Sequence, residues 1–325
     1  MNIHRTLVVG LGSIGMKYDL QFNNHRVTTH TKSTSTHKNF TLIGAVDLDE
    51  EKRSIFKKIY NCPVFSNVTD AVEELRPDIV IVATPTSTHF DIIKQIISNP
   101  NKMLKAILCE KPVTDFSEKT KEILNCCRER NIKLFVNFTR RGDPSVKYIK
   151  QSIISEKFKL PFKGSCWYSK GLMHNGVHFL DLMSFFFGQI SNIHIITESK
   201  GTKDYDYQPD IKVQFKKGVI YFFAVDEKNF SYYDFKILFK NGELTYDNKA
   251  EVHWRDVINH NKLEDYRTLN SSVKEINNEM EVYQYNIMNE LDLALNSLES
   301  SLATGEDFYS IQLATQKIIE GKLRD

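Results

Sequence analysis

The sequence predicts an α/β domain built on a parallel sheet, followed by an α+β domain with a mostly antiparallel sheet. Three observations predict it. In the first 140 residues short β-rich runs alternate with helical patterns, the signature of βαβ units. In the second half β-rich runs follow one another with no helix between them. The 325 residues also exceed one average domain of roughly 150, so two units are expected, 1–139 and 140–325.

Taken in order, residues 6–9, 41–46, 78–83, 105–109 and 133–138 are the candidate strands of the first unit. Apolar residues spaced by three and four predict helices around Ala71, Val72 and Leu75, then Ile92, Ile93, Ile96 and Ile97, then Ile123, Leu124 and Cys127. Ser66, Ser87 and Ser117 are placed to cap them. Residues 18–39 break this rhythm. They are polar and rich in His, Thr and Asn, and read as a loop insertion with a short helix that either reaches over a bound ligand or lies as a plain surface loop. The second unit reads as a helix over 144–155, a strand near 164–169 and an apolar helix over 175–187. Strands over 193–197, 211–215, 219–225, 232–239 and 244–246 follow, with Gly218 and Asn241-Gly242 where hairpin turns are needed. Helical patterns over 273–300 and 308–323 close the chain.

Composition excludes several classes of function. Hydrophobic residues at 41% and charged residues at 26% are those of a globular domain. Lys plus Arg at 43 against Asp plus Glu at 41 leaves a net charge of +2, far from the basic excess of a nucleic-acid binder. No apolar run approaches the roughly 18 residues of a membrane span and no signal-peptide core is evident, so a cytoplasmic protein is expected. Five cysteines, odd in number and without CxxC spacing, indicate neither a disulfide framework nor a zinc ribbon, and are expected as free, mostly buried thiols.

Four segments carry chemistry. Gly10-Leu11-Gly12-Ser13-Ile14-Gly15 follows the first strand and opens a helix, the arrangement in which a glycine loop makes a tight turn and brings its backbone against a pyrophosphate. It predicts a dinucleotide and a Rossmann-type domain. Asp47, at the tip of the second strand, suits the adenosine ribose hydroxyls and repels a 2′-phosphate, which favours NAD over NADP, although Lys52 and Arg53 lie close by. Residues 83–89, with Thr84, Pro85 and His89, and residues 109–112, with Glu110 and Lys111, follow the third and fourth predicted strands, where ligands bind in such sheets. Lys111 is either a group that donates to a developing alkoxide or a surface lysine paired with Glu110. His174, His178 and Asp181 share one face if the segment is helical, and Asn175 lies between the two imidazoles. The histidines suit removal of a hydroxyl proton, but a pair hydrogen-bonded at a domain interface fits as well. The spacing would also allow zinc, but no glutamate or cysteine pattern accompanies it and no metal is expected.

These segments, in this order and spacing, resemble the Gfo/Idh/MocA family of NAD(P)-dependent sugar and polyol oxidoreductases over nearly the whole chain. The glycine loop, the ATPxxxH-like run 83–89, the triplet Glu110-Lys111-Pro112, the GxHxxD-like run 176–181 and Gly305-Glu306-Asp307 before the last helix carry the resemblance. It implies a Rossmann domain joined to an open antiparallel sheet whose outer face commonly builds dimers or tetramers. It implies Lys111 at the nicotinamide ribose and the reacting hydroxyl, His178 as general acid or base, and Arg140, Arg141, Tyr168 and Lys170 on the substrate side. Two departures stand out: His174 replaces an aspartate of many members, and the glycine triplet is absent around Lys170-Gly171. The run 170–176 looks like members from surface-polysaccharide and nucleotide-sugar pathways. The implied activity is a dehydrogenase or ketoreductase on a sugar, with a lyase or glycosidase that uses NAD without net redox change, or a non-catalytic NAD-binding regulator, as alternatives.

Overall fold

The computed structural model describes residues 3–21, 25–197, 207–260 and 265–322. The chain divides into two compact units, Met1–Gly142 with Glu281–Tyr309, and Asp143–Met280 with Ser310–Asp325. The first begins with β1 (His4–Val9), α1 (Tyr18–Gln21), α2 (His30–Thr36), β2 (Phe40–Val46), α3 (Glu50–Tyr60), β3 (Val64–Phe65) and α4 (Val68–Leu75). It continues through β4 (Ile79–Val82), α5 (Thr86–Ser98), β5 (Ala106–Cys109), α6 (Ser117–Glu129) and β6 (Lys133–Val136). Every residue of β4 is fully buried, as expected of a parallel strand covered on both faces. The strand order β6-β5-β4-β1-β2-β3, all parallel, reverses direction between β1 and β4. A crevice at the carboxyl ends is expected at that switch point.

Local details depart from the sequence reading. The glycine loop opens not a regular helix but a five-residue π-turn, Ser13–Lys17, that runs into the short α1. None of the three serines caps. Asn67 caps α4, its side chain accepting from Thr69 N at 2.7 Å, while Pro85 and Phe116 occupy the cap positions of α5 and α6 without side-chain bonds. Residues 18–39 yield both α1 and α2, the latter capped by Thr29.

The second unit contains α7 (Pro144–Ile154), β7 (Phe162–Tyr168), α8 (Val177–Phe187), β8 (Asn192–Thr197), β9 (Asp210–Phe215), β10 (Gly218–Ala224) and β11 (Asp234–Phe239). It adds β12 (Gly242–Tyr246), β13 (Val252–Asn259), β14 (Arg267–Leu269) and β15 (Lys274–Ile276). The sheet runs β14-β13-β12-β11-β7-β10-β9-β8 with β15 beside β13, antiparallel throughout except for β7 with β10. Alternation on β11 shows why one face is core: Phe235, Ile237 and Phe239 are buried, whereas Lys236 and Leu238 are exposed. Stacked rings, Phe162 on Phe187 and Phe158 on Trp254, fill that side. The β9–β10 and β11–β12 hairpins turn through Lys216-Lys217 and Lys240-Asn241, so Gly218 and Gly242 open the returning strands.

The expected helix over 273–300 shortens to α9 (Tyr283–Leu295), because residues 274–276 instead pair with Val252–Trp254 as β15. β16 (Ala303–Thr304) and α10 (Gly305–Lys322) follow; the expected end at Leu323 lies outside the described residues. This stretch also moves the expected domain boundary. Ile287, Met288, Leu291 and Leu302 join the core of the first unit with Val8, Ile81, Leu108 and Phe135, and β16 adds an antiparallel strand beside β6. An amphipathic return of this kind leaves no mark in the local sequence pattern that a boundary search reads. Among the described residues no helix is long and apolar enough to cross a membrane.

Candidate active site

The carboxyl ends of the parallel strands bring most of the sequence-predicted residues of the first unit to one edge. The ladder fixes their spacing: Gly10 N donates to Val46 O, Ala83 N to Val9 O, Glu110 N to Val82 O and Asn137 N to Cys109 O, all within 2.9 Å. The three loop glycines serve different ends. Gly10 has φ +101°, and a Cβ there would stand 2.5 Å from Ala83 O; a Cβ on Gly15 would meet Gly10 O at 2.0 Å. Both positions are closed to a side chain by the protein itself. Gly12 has nothing within 4 Å of its Cβ position, so packing does not require glycine there, and the open space over its backbone is a cradle fitting a pyrophosphate. Ser13 is exposed and Ile14 half-buried beside it.

Asp47 extends this cradle. Its Oδ2 accepts from Leu11 N at 2.7 Å and its Oδ1 from Asp49 N at 2.9 Å, which aims the carboxylate at the loop. Lys52 Nζ is 3.5 Å from Asp47 Oδ1 and 3.6 Å from Asp49 Oδ2. Arg53 donates to the Asp47 and Leu48 carbonyls at 2.8 Å. Both cations near Asp47 are thus engaged by protein oxygens, and this donor and acceptor set fits a dinucleotide at the loop.

Thr84 is half-buried and Pro85 exposed; Thr88 Oγ1 donates to Thr84 Oγ1 and to Pro85 O. His89 is buried, with Nε2 2.8 Å from Thr84 O and Nδ1 3.0 Å from Pro112 O, so it ties the two loops together. Lys111, half-buried, stands between Glu110 and the His89-anchored Pro112. Burial pushes the Glu110 carboxyl up, but the His30 contact, the Asn137 amide and the Lys111 charge together bring it below the ordinary glutamate value. Burial also drives the neighbouring Cys109 thiol well up, which leaves it unreactive.

Three residues absent from the sequence reading complete this edge. His30 Nε2 lies 2.8 Å from Glu110 Oε1, Asn137 Nδ2 donates to the same oxygen at 2.6 Å, and Gln284 Nε2 is 2.6 Å from His30 Nδ1. Asn137 could have been found, since it follows a parallel strand as Glu110 does. The polar composition of residues 18–39 pointed at His30 without singling it out, and nothing near Gln284 pointed at it. Asp19 secures the segment by accepting from Thr28 and Thr29 through five contacts of 2.6–3.1 Å, the Thr28 N–H being shared between its two oxygens.

Other predicted residues are placed differently. Arg141 is buried and donates to Asp307 Oδ2 at 3.2 Å, while Arg140 is half-buried. Tyr168 is fully buried and donates to Pro209 O at 2.6 Å. These contacts give Arg141 and Tyr168 protein partners in place of the expected substrate-lining position. Lys170 is exposed in the left-handed region, at φ 64°. Gln208 holds the next residue by accepting from Gly171 N. His174 is exposed and Asn175 half-buried in a π-turn, Leu172–Gly176, and the α-helix starts only at Val177. Burial rises along this stretch, from exposed His174 through half-buried His178 to fully buried Asp181. Gly176 has a structural reason: a Cβ there would stand 3.0 Å from the Tyr168 ring. Among the described residues no group of three His, Cys, Asp or Glu is placed to hold a metal.

A doubly wound parallel sheet with an open glycine cradle at the carboxyl end of its first strand is the architecture of dinucleotide-binding folds. Residues 4–138 match the Gfo/Idh/MocA model, described as an oxidoreductase family with an NAD-binding Rossmann fold. Inositol 2-dehydrogenase of Rhizobium meliloti is 30% identical over 38% of this chain and 36% of its own length. UDP-N-acetylglucosamine 3-dehydrogenase of Acidithiobacillus ferrooxidans is 25% identical over 55% and 52%. The matches thus span between about a third and a half of these relatives. The fold likeness runs further. The solved A. ferrooxidans enzyme superposes with a TM-score of 0.73 at 16% identity, covering 98% of this chain and 97% of that one. An Agrobacterium radiobacter oxidoreductase in complex with NAD+, L-tartaric acid and magnesium gives 0.73 at 13% identity over 96% and 94%.

Proposed function

We propose that the protein is an NAD-dependent dehydrogenase or ketoreductase acting on a sugar hydroxyl or keto group, with a nucleotide-linked sugar as substrate. The observation that carries it is the meeting of the Gly12 cradle, Asp47 and the Glu110-Lys111 loop at one sheet edge, in a unit whose sequence matches an oxidoreductase family model. Bound there, the nicotinamide would supply the hydride acceptor or donor. The glycine-loop backbone holds the pyrophosphate, and Asp47 accepts from the adenosine ribose hydroxyls. With Lys52 drawn to two carboxylates, a 2′-phosphate meets mostly negative charge, which favours NAD over NADP. Lys111 donates to the developing alkoxide and His178 takes or returns the hydroxyl proton. The two nucleotide-sugar and polyol dehydrogenases among the relatives support the substrate class. The same reading places the enzyme in the cytoplasm, in nucleotide-sugar or surface-polysaccharide synthesis, as a homodimer or homotetramer paired through the sheet face that exposes Trp167 and Leu238.

The test is a thermal-shift screen of NAD and NADP with a panel of nucleotide sugars, followed by absorbance at 340 nm. NAD-dependent turnover with net NADH formation is expected; product without NADH would instead indicate an elimination or glycoside cleavage. Full turnover in folded Lys111→Ala and His178→Ala variants would overturn the proton roles.

A further inference from the structure

Residues 18–39 leave open, from sequence, whether they cover a ligand or merely decorate the surface. The structure carries His30 from this segment into the first unit, fully buried. Its Nδ1 faces the Gln284 amide nitrogen at 2.6 Å, and an amide nitrogen only donates, so Nδ1 accepts and Nε2 carries the proton donated to Glu110. Asn137 Nδ2 donates both to Glu110 Oε1 and, at 3.3 Å, to Gln284 Oε1. Turning the Gln284 amide over would set its nitrogen against the Asn137 nitrogen, two donors in contact, so the ring Glu110, His30, Gln284, Asn137 closes in one sense only. Asn137 Oδ1 is buried without a partner, but the four bonds that close the ring lie in a buried setting and hold it stiff, because each bond it could lose would leave a further costly unpaired group.

Lys111 is the next residue after Glu110, and the carbonyl of the residue after that, Pro112, lies 3.0 Å from His89 Nδ1. The main chain is therefore anchored immediately before the lysine and packed against the His89 ring immediately after it. We propose that His30 is a positioning residue for Lys111: acting through Glu110, with Gln284 and Asn137 behind it, it fixes the direction in which the lysine is presented. The segment 28–36 is then part of the active site. The inference rests on the reading of Lys111 as the group that meets the reacting hydroxyl.

Competitive acetylation of the full-length protein with trace acetic anhydride, read lysine by lysine by mass spectrometry, tests this without any substrate. In His30→Ala, the rate at Lys111 relative to the other lysines should rise about threefold or more, with His30→Gln, which keeps a donor toward Glu110, returning it toward wild type. NADH affinity, followed by fluorescence titration, should change less than about threefold, whereas kcat on a sugar found by the screen should fall roughly tenfold or more with KM little changed. If His30→Ala does not fold, Gln284→Met keeps the shape, removes the donor to Nδ1 and should raise Lys111 labelling in the same direction. Lys111 labelling unchanged in a folded variant overturns the inference. A sugar panel without turnover, with the labelling shift intact, overturns only the proposed activity.

Discussion

The two units gather polar residues in opposite ways. In the first, parallel strands end side by side, and Gly10, Asp47, Thr84, Glu110 and Asn137 are delivered to one edge by the ladder itself. In the second, every neighbouring pair but β7 with β10 runs antiparallel, so most strand ends alternate between two edges and no single edge collects the candidates. There Tyr168 goes to the core, Lys170 to the surface, and His178 and Asp181 ride on a helix instead. Topology concentrates a site in one unit; in the other, one helix has to present it.

This contrast can be broken at the glycines. Gly10→Ala should be the most damaging, costing about 3 kcal/mol in chemical denaturation, since φ +101° and the Ala83 backbone both oppose a methyl group. Gly12→Val should leave stability within about 0.5 kcal/mol of wild type, yet weaken NAD binding by roughly a hundredfold in a fluorescence titration, because only a ligand contests that space. Equal stability losses at Gly10 and Gly12 would show that the cradle is packing and not a ligand seat. Gly176→Ala, in the second unit, should cost about 1–2 kcal/mol by crowding the Tyr168 ring, without altering NAD affinity. The smallest effect concerns His4, whose burial, aided by Lys105, holds it below the ordinary histidine value against the pull of Asp78 and Asp292. The unfolded chain then binds the proton more readily. Stability should fall as pH drops below about 6.5, by at most about 1.4 kcal/mol per pH unit. Urea unfolding at two pH values should show a shallower loss in His4→Gln than in wild type.

Legibility in the sequence followed the same division. Five of the six parallel strands could be read to within about two residues because burial on both faces writes continuous apolar runs such as Ile79-Val80-Ile81-Val82, whereas the two-residue, half-buried β3 leaves too short a run to see. The glycine loop and Asp47 could be read because their chemistry depends on backbone position. Arg141 and Tyr168 could not be placed, since a cation or a phenol looks the same in sequence whether it meets a ligand, the Asp307 carboxylate or the Pro209 carbonyl. Gln284 was invisible for a further reason: it meets His30 across more than 250 positions, and no local periodicity encodes such a pairing.

The return of residues 281–309 to the first unit has a consequence for how the protein is made. Ile287, Met288, Leu291 and Leu302 complete a core whose other members lie before residue 143. At roughly 5–20 residues per second, a ribosome needs about 10–30 s to pass from the first part to the second. During that wait the nascent parallel sheet stands with apolar surface uncovered and with β6 lacking its β16 neighbour. The first unit to be started is among the last to be finished, so a chain halted after residue 142 would emerge as a client for chaperones and not as a separable cofactor-binding module.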